Sequence, residues 1–464
     1  MTTHPTTRKR GLHIGIAAAA AAVVATLVAT GVGSGYLAHA DTNLPGAGST
    51  ADPYRIGSAD EFAGFIAAAN ADTAGTGAST AAYQLTSDIA LTAPVKMIDS
   101  FSGTLDGAGH TVFGLSVDFT GSKVYASTSG ADKSAALINA NSGTIEKIGF
   151  SGVSITGTAS AESSTTNTKK ASVVVNNHGL LDQVYVTGSI DGGWRGGGIV
   201  ADNLSGGTIQ NSYFVGSVHS SWETGGITAR NDNVGTERIT NVFADVTATS
   251  DTRNIGLISG YSYSTATIKG AVALRGSATQ GGGQSANNIG RINGQNNTSV
   301  AGRGATYTNN LALNTITLGG STVTGGAADN RQGLDTSAAD LTQQATYEGI
   351  GWDFAGTWRM DAAAQRPALA AVAEKAVPDE PTDPTDPTDP TDPGTGDLSS
   401  TSTITSPDGQ TVATVSTDAS GDLGYTVTQR GVTVVRPSHL GLEIDGTDWG
   451  TGVTLGAATT SSVE

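Results

Sequence analysis

Short aliphatic strands recur along the middle of the chain. Each recurring segment joins a strand of small residues, an Asn- or Gly-rich turn and an aliphatic strand, as in GGGIVADNLSGGTIQNSYFVGSV. The first aliphatic residues of the second strands stand 36, 28, 30 and 29 residues apart: Ile145, Leu181, Ile209, Ile239 and Ile268. This period predicts stacked repeats. Because the apolar residues lack helical spacing and Gly, Thr, Ser and Val dominate, each repeat is predicted to be one turn of β-strands rather than a helical or leucine-rich repeat.

The predicted fold class is all-β, with a right-handed parallel β-helix, or solenoid, over residues 101–330. Successive turns of a solenoid lie about 4.8 Å apart, pair through their backbones and bury a continuous apolar column. We expect five residues to point inward: Leu137, Val174, Ile199, Ile227 and Leu257. Asn141 and Asn177 stand four residues before Ile145 and Leu181. This spacing predicts a structural ladder of stacked Asn side chains.

The segments that flank the repeats are predicted to be small caps. Residues 41–100 are predicted to hold a strand, a helix and a second strand, because Ser58 and Glu61 form a capping-box pattern before an apolar helix face (Phe62, Phe65, Ile66). After Leu274 the repeats decay, and NNIGRINGQNN is interpreted as one degenerate repeat. Residues 331–377 are predicted to form a helix-plus-strand C-terminal cap that contains Trp352, Phe354 and Trp358.

The remainder of the chain reads as a spacer and a second β-region. Residues 378–397 are rich in Pro, Asp and Thr, with Pro at every third position in TDPTDPTDPTDP. This composition predicts an extended, semi-rigid polyproline II linker. Residues 398–464 read as strands and are predicted to form a partial β-sandwich of marginal size for an independent domain.

Composition favours many short strands and turns over one large core. The 464 residues include 64 Gly and no Cys, and 5% are aromatic. Glycine is better accommodated in turns than in helices. The basic RKR at positions 8–10, the apolar stretch after it and the AHA at positions 38–40 predict a signal peptide over residues 1–40. An uncleaved membrane anchor is the alternative, since the apolar stretch is nearly long enough to span a bilayer.

Charge limits the classes of partner. Removal of residues 1–40 would take away three basic and no acidic side chains and leave 21 basic against 41 acidic residues, a net charge of −20. Such a surface argues against nucleic acid and anionic membranes as partners, and no stable membrane insertion is expected after cleavage. The absence of Cys rules out a disulfide framework. We expect a bacterial protein, secreted or on the cell surface, that contacts a glycan or a surface protein.

The repeats resemble a known group of surface proteins. FSGTLDGAGHTVFGL at residues 101–115 predicts two strands around the turn at Asp106-Gly107, and it resembles the short motif of GLUG-motif surface proteins. GGIVADNLSGGTIQNSYFVGSV and the GWDF…W…RPAL ending are similar to the same group, over roughly residues 54–369. The resemblance implies a parallel β-helix used for adhesion or glycan contact.

A second resemblance lies after the linker. Residues 406–446 are similar to the opening of the N-terminal β-sandwich of glycoside hydrolase family 97, through SPDG at 406–409, Pro437-Ser438 and LGL at 440–442. Family members carry their calcium site and their acid or base carboxylates mainly in a downstream (β/α)₈ barrel. No such barrel follows here, so no catalytic residue or cofactor is carried over, and Ca²⁺ is expected only together with such a barrel. The abrupt end is interpreted as a truncated reading frame or a chain cut short.

Candidate catalytic chemistry is sparse. Four histidines follow the predicted signal peptide: His110, His178, His219 and His439. They lack the spacing of metal ligands, and no metal site is predicted. Four aspartates invite comparison with β-helix lyases and hydrolases: Asp106, Asp182, Asp191 and Asp202. They do not align at matching positions of neighbouring repeats, and turn-forming aspartates are the simpler interpretation. No catalytic residue is predicted.

Trp194 and Trp222 are the candidate ligand-binding residues. Each stands four residues before the glycine of a Gly-Ile pair, at Gly198 and Gly226, so the two are expected at equivalent positions of adjacent repeats. Aligned exposed indoles can stack against sugar rings. The alternative, a structural stack that braces a turn, fits the same spacing.

These observations leave two main hypotheses for function. The first is an exported, non-catalytic binding protein that contacts carbohydrate. The second is an accessory N-terminal portion, possibly truncated, of a family 97-like glycosidase that acts on α-linked glycosides. A third hypothesis, a β-helix enzyme acting on acidic polysaccharide, conflicts with the charge of −20 because like charges repel.

Overall fold

The computed structural model describes residues 44–378 except 118–124, 128–129, 133, 158–169, 233–237, 264, 266, 282–287 and 297–303, together with six strands between residues 400 and 448. The chain divides into two compact parts, Met1–Asp379 and Glu380–Glu464. The predicted signal peptide and nearly all of the predicted linker lie outside the described residues. Within the described residues, no helix has the length and apolar character needed to cross a membrane.

The first part is almost entirely β, and its largest sheet is built from parallel strands apart from one antiparallel pair at Thr317–Leu318 and Ser321–Thr322. Among the described residues this large sheet has 18 strands. In chain order the others are Tyr54–Ile56, Ala82–Leu85, Ile89–Ala90, Thr104–Asp106, Thr111–Phe113, Thr144–Thr156, Leu180–Gly192, Thr208–Gln210, Tyr213–Ser220, Ile239–Thr240, Phe243–Ser250, Thr267–Lys269, Val272–Gln280, Thr306–Thr308, Leu311–Leu313 and Leu334–Thr336.

Two further parallel sheets accompany the large one, with seven and six strands in the described part of the chain. The seven-stranded sheet comprises Ile98–Phe101, Ile138–Asn141, Val174–Asn177, Val200–Asn203, Thr228–Asn231, Ser259–Ser262 and Asn293–Asn296. The six-stranded sheet comprises Ser134–Ala135, Lys170–Ala171, Arg195–Gly197, Glu223–Gly225, Ile255–Gly256 and Ile289–Gly290. The degenerate repeat predicted at NNIGRINGQNN is confirmed, since it supplies the last strand of each.

The chain visits the three sheets in a fixed cycle. From the seven-stranded sheet it enters the large sheet, passes to the six-stranded sheet and returns. Each cycle places its strands beside those of the preceding cycle, with one long strand or two shorter ones in the large sheet. The five aliphatic markers predicted from the period are paired in one register: Ile145, Leu181, Ile209, Ile239 and Ile268. The predicted inward residues are confirmed as fully buried: Leu137, Val174, Ile199, Ile227 and Leu257.

A column of glycines makes the sharp corner between the six-stranded and the seven-stranded sheets. The four aligned positions are Gly197, Gly225, Gly256 and Gly290. A Cβ atom at Gly225 would stand 1.8 Å from the carbonyl oxygen of Thr228, closer than any side chain allows. The repeated Gly-rich segments therefore let two sheets meet at a tight corner, and the candidate site lies beside this corner.

A buried ladder of amides runs along the seven-stranded sheet. The side-chain nitrogen of Asn141 donates to the side-chain oxygen of Asn177 at 2.9 Å, and Asn177 donates in the same way to Asn203 at 3.0 Å. Asn203 continues the ladder to Asn231 at 3.3 Å. The predicted ladder is therefore confirmed, and it extends over four repeats. Each shared hydrogen bond satisfies polar groups that would otherwise be buried without partners.

The N-terminal helix forms as predicted. It spans Ala59–Ala71, the Ser58 side chain accepts a hydrogen bond from the Glu61 amide, and the Glu61 carboxylate accepts one from the amide of Gly57. Its apolar residues Phe62, Phe65 and Ile66 are buried. The parallel pairing already begins at Tyr54–Ile56, inside the segment predicted as a cap. A short 3₁₀ helix follows at Ala78–Thr80.

The strands around Asp106-Gly107 do not pair with each other. Thr104–Asp106 and Thr111–Phe113 each pair in parallel with neighbouring repeats, including the strand Thr144–Thr156. The turn between them places Ala108 and Gly109 at positive φ, 48° and 86°. An Asp-Gly turn signal therefore marks a bend within one repeat here rather than a hairpin.

The segment predicted as the C-terminal cap has two locations. Its first strand, Leu334–Thr336, pairs beside Leu311–Leu313 in the large sheet. The rest contains a 3₁₀ helix at Asp340–Thr342, a helix at Gln344–Glu348 and an antiparallel pair, Trp358–Asp361 with Arg366–Leu369. It packs along the outer face of the large sheet, because its aromatic residues cluster with side chains from several successive repeats.

The remaining described strands form three antiparallel sheets. In the first part, Tyr125–Ser127 pairs with Gly130–Asp132. The second part contains the predicted strands, which form an antiparallel sheet of Ser400–Thr405, Thr411–Thr417, Leu423–Gln429 and Val432–His439. A short pair, Glu443–Ile444 with Thr447–Asp448, follows.

Candidate functional site

Trp194 and Trp222 stand at equivalent positions of adjacent repeats. Each directly precedes a strand of the six-stranded sheet, and the residues that follow them, Arg195 and Glu223, are paired in register. The two indole rings stack with centroids 4.5 Å apart and planes 11° from parallel. Both side chains are half-buried. The alignment inferred from the spacing to Gly-Ile is therefore present in the structure.

Arg253 extends the indole stack by one repeat. It occupies the next position in the same column, because Thr224 pairs with Ile255. Its guanidinium carbon lies 3.7 Å from the centroid of the Trp222 ring, which is a close cation–π contact. Trp222 is thus covered on one side by Trp194 and on the other by Arg253. The column presents ring edges to its surroundings, and this limits the stacking of a ligand on the Trp222 faces.

A groove of about 280 Å³ lies beside this column. Its lining combines residues from the six-stranded sheet with residues from the seven-stranded sheet: Trp194, Arg195, Trp222, Glu223, Arg230, Arg253, Asn254, Tyr261, Tyr263 and Gln295. Arg230, Tyr261 and Gln295 are paired in one register on successive strands. The Arg230 guanidinium lies 4.9 Å from the ring centroid of Tyr263 and 5.5 Å from that of Tyr261.

A buried ion-pair network supports one wall of the groove. Asp202 accepts contacts from Lys170 at 2.8 Å and from Arg195 at 3.0 Å, and Arg195 also pairs with Glu223. Burial alone would raise the pKa of Asp202, but the charges of Arg195 and Lys170 hold it below its usual range. Both carboxylates therefore serve as ion-pair partners of Arg195, which fixes its side chain where three successive repeats meet.

Several polar atoms at the groove have no hydrogen-bond partner among the described residues. They include the buried Nε atoms of Arg230 and Arg253 and the buried side-chain oxygen of Asn254. Arg253 forms no ion pair within the described residues, and Arg230 forms one, with Asp232 at 3.2 Å. Asn254 is only 2% exposed. The groove lining is therefore polar, and some of its buried polar atoms are left without partners by the described residues.

The aspartates considered from the sequence do not form a catalytic pair with one another. Asp106 and Asp182 both lie in register with Glu146, on either side of it, so they share a column two repeats apart. Asp182 accepts a hydrogen bond from Asn211 and Asp106 accepts one from Gln84. Asp106 also accepts from the amide of Ala108, as a turn-forming aspartate does.

His219 joins Asp191 to Asp251 across three repeats. Its Nδ1 lies 2.8 Å from Asp191 and its Nε2 lies 3.1 Å from Asp251. Burial alone would lower the pKa of His219, but these two hydrogen bonds raise it above its ordinary value. The two carboxylates engage opposite nitrogens, so the three groups do not converge on one point.

The other histidines are separate from the groove. His110 lies 3.5 Å from Asp88, and His178 contacts the carbonyl oxygen of Ser205 at 3.0 Å. His439 ends a strand of the second part. Within the described residues no group of His, Asp and Glu side chains is arranged to hold a metal ion.

Sequence reasoning found the two tryptophans but missed their companions. Arg253 was missed because Leu257 stands where the earlier repeats have Gly198 and Gly226, so the Gly-Ile marker is absent from this repeat. Arg230, Tyr261 and Tyr263 come from the other sheet, and only the corner at the glycine column brings them near. The signal available in the sequence was that Arg230 and Tyr261 occupy equivalent positions of successive repeats.

The comparisons with known proteins concern both parts of the chain. The family model described as Glycosyl-hydrolase 97 N-terminal matches residues 404–464, which confirms the resemblance inferred from residues 406–446. Among solved structures, a putative immunoglobulin A1 protease from Bacteroides ovatus aligns with 72% of this chain and 100% of its own, at 17% identity and a TM-score of 0.48. No curated protein matches the chain.

Proposed function

We propose that the first part of the chain is a right-handed parallel β-helix and that it belongs to an exported bacterial protein, secreted or held at the cell surface, that binds carbohydrate without catalysis. The fixed cycle through three parallel sheets supports the helical path, since each cycle places its strands beside those of the preceding cycle. Connections between parallel strands of one sheet are right-handed in nearly all known cases.

The observation that carries the binding proposal is the groove beside the stacked indoles. A sugar presents hydroxyl groups that both donate and accept hydrogen bonds and C–H faces that contact aromatic rings. The groove supplies both: four aromatic side chains, of Trp194, Trp222, Tyr261 and Tyr263, together with Gln295 and Asn254. Each indole also carries one N–H group, which can only donate a hydrogen bond.

The groove favours binding over chemistry. Its lining carboxylate, Glu223, is 3% exposed and pairs with Arg195. Acid–base cleavage of a glycoside uses two carboxyl groups on either side of the bond, one of them protonated. A carboxylate held by a guanidinium is a poor proton donor, so positioning the Arg195 side chain is the simpler role for Glu223.

The test is binding of the purified protein to a glycan array, with the double variant Trp194→Ala/Trp222→Ala beside it. We expect the native protein to bind a defined set of glycans and the double variant to lose them. Phe354→Ala is the matched control, because it removes a half-buried ring from the segment on the large sheet and should leave binding intact. Absence of binding to any glycan, or equal binding by the double variant, would contradict the proposal.

A second function is favoured by the match at residues 404–464. In this second function, the chain would be the accessory N-terminal portion of a family 97-like glycosidase that acts on α-linked glycosides. Catalysis and Ca²⁺ binding would then lie in a barrel encoded after Glu464. Reading the gene in the same frame beyond Glu464 separates the two functions. A barrel-coding region there, with hydrolysis of α-linked aryl glycosides by the longer product, would replace the non-catalytic proposal.

A further inference from the structure

We infer that the groove selects a sugar that carries a carboxylate, such as a uronic acid residue, over the corresponding neutral sugar. The inference rests on the carbohydrate binding proposed above and specifies its ligand. It arises from the charge of the groove, which differs in sign from that of the whole protein.

The groove is locally positive on an acidic protein. The chain carries a formal charge of −17. The groove lining, in contrast, contains three arginines, Arg195, Arg230 and Arg253, and one carboxylate, that of Glu223. When the adjacent Lys170, Asp202 and Asp232 are included, four positive groups still face three negative ones. Charges farther away than about 8 Å are largely screened at physiological ionic strength, so the local excess governs a ligand in contact.

Arg253 is the cation available to a ligand. Its guanidinium has no hydrogen bond or ion pair to another residue within the described part of the chain, and its Nε is buried without a partner. The Trp222 ring 3.7 Å away fixes the plane of the guanidinium. A planar guanidinium held in this way can offer two parallel N–H groups to one carboxylate with little loss of side-chain freedom.

Arg230 provides a second, weaker cationic position. It contacts Tyr263 and Tyr261 through cation–π interactions, and its one ion pair with Asp232 leaves its buried Nε unpaired. The two arginines lie on different sheets, on either side of the corner that the glycines form. A carboxylate in the groove would therefore meet positive charge from both walls.

Hydroxyl recognition separates a sugar acid from a simple anion. Asn254 belongs to the groove lining, and its buried side-chain oxygen has no donor among the described residues. Burial raises the pKa of Tyr261, so its hydroxyl stays protonated and can donate. The volume of about 280 Å³ is at the lower limit of small-molecule pockets, which suits one sugar ring at a time.

The experiment is calorimetric titration of the purified protein with two disaccharides of the same linkage, one ending in glucuronate and one in glucose. We expect the native protein to bind the glucuronate form roughly tenfold more tightly or better, because a charge-assisted pair is added. Arg253→Gln should remove most of that preference, measured as the ratio of the two dissociation constants. Added NaCl should weaken only the glucuronate form with the native protein.

Two controls keep the outcome clear. Arg359→Gln removes an arginine whose side chain is 44% exposed and paired with Asp361, outside the groove, and should retain the preference. If Arg253→Gln does not fold, as judged by circular dichroism, Arg230→Gln replaces it with a smaller expected loss. Equal binding of both disaccharides by the native protein would overturn the acid selectivity and leave carbohydrate binding intact. Binding of an acidic peptide but of neither sugar would overturn both proposals.

Discussion

Two columns of stacked aromatic rings run across the repeats, and their surroundings differ. On the outer face of the large sheet, Tyr185, Tyr213 and Phe243 stack with centroids 5.5 and 4.4 Å apart and are fully buried. Beside the groove, Trp194 and Trp222 stack at 4.5 Å and remain partly exposed. The repeat geometry aligns like residues equally well in both places, so stacking alone does not distinguish structure from function.

What covers each column does distinguish them. The C-terminal segment lies over the first column: Trp358 is 6.3 Å from Tyr213 and 6.0 Å from Phe243 between centroids, and the Tyr213 hydroxyl donates to Glu374 at 2.7 Å. The second column has a single arginine over one end and a polar groove beside it. A covered aromatic stack contributes to folding, whereas an uncovered one beside unpaired polar groups is suited to binding.

The largest effect that would test this comparison is removal of the cover. Trp358 is 1% exposed, and Trp358→Ala leaves a cavity over Tyr213 and Phe243. We expect the free energy of unfolding to fall by about 3–5 kcal/mol, measured by urea denaturation followed by near-ultraviolet circular dichroism. Glycan binding by the folded fraction should be unchanged, because the groove lies elsewhere.

The matched change in the open column is Trp194→Ala. Because Trp194 is only half-buried, we expect it to lower the free energy of unfolding by about 1 kcal/mol. If Trp194→Ala destabilised the protein as much as Trp358→Ala, the open column would be structural, and the alternative of a stack that braces a turn would be correct.

A smaller effect is the pH dependence of stability that His219 contributes. His219 has a raised pKa because it is hydrogen-bonded to Asp191 and Asp251, so its stabilising contribution is complete below its unfolded pKa of about 6.5 and is lost as pH rises through the higher folded value. The side chain is 41% exposed, and solvent screening limits the contribution to a few tenths of a kcal/mol.

The measurement is the unfolding midpoint of native protein and of His219→Gln between about pH 6 and about pH 8. The native midpoint should decline slightly relative to that of the variant as pH rises. In contrast, the carboxylate of Asp88 pairs with Lys375 of the C-terminal segment at 2.6 Å. Because the pKa of Asp88 is lowered, the stability that it contributes is lost at acid pH. A difference between native and variant that grows towards alkaline pH would contradict the role given to His219.

The repeat register could be predicted because it depends on local pattern. Ile145, Leu181 and Ile209 face the core in every repeat, so burial alone sets their period. Asn141 and Asn177 are likewise fixed by their distance from these residues. Trp194 and Trp222 aligned for the same reason.

The groove as a whole could not be predicted, because it depends on how distant strands meet. Arg230 and Trp222 stand at different sheets but line one groove. No short-range sequence pattern predicts the angle at which those two sheets meet. The C-terminal segment was predicted as a cap, whereas its aromatic residues pack along the outer face of the large sheet. The apolar mass of Trp352 and Trp358 requires a partner surface but does not specify which one.

The most direct test of the central claim is a crystal structure of the protein with the glucuronate-terminated disaccharide bound. We expect electron density in the groove, with the carboxylate against Arg253 and ring hydroxyls at Asn254 and the indole edges of Trp194 and Trp222. Density on another face, with the groove free of sugar at a saturating concentration, would contradict it.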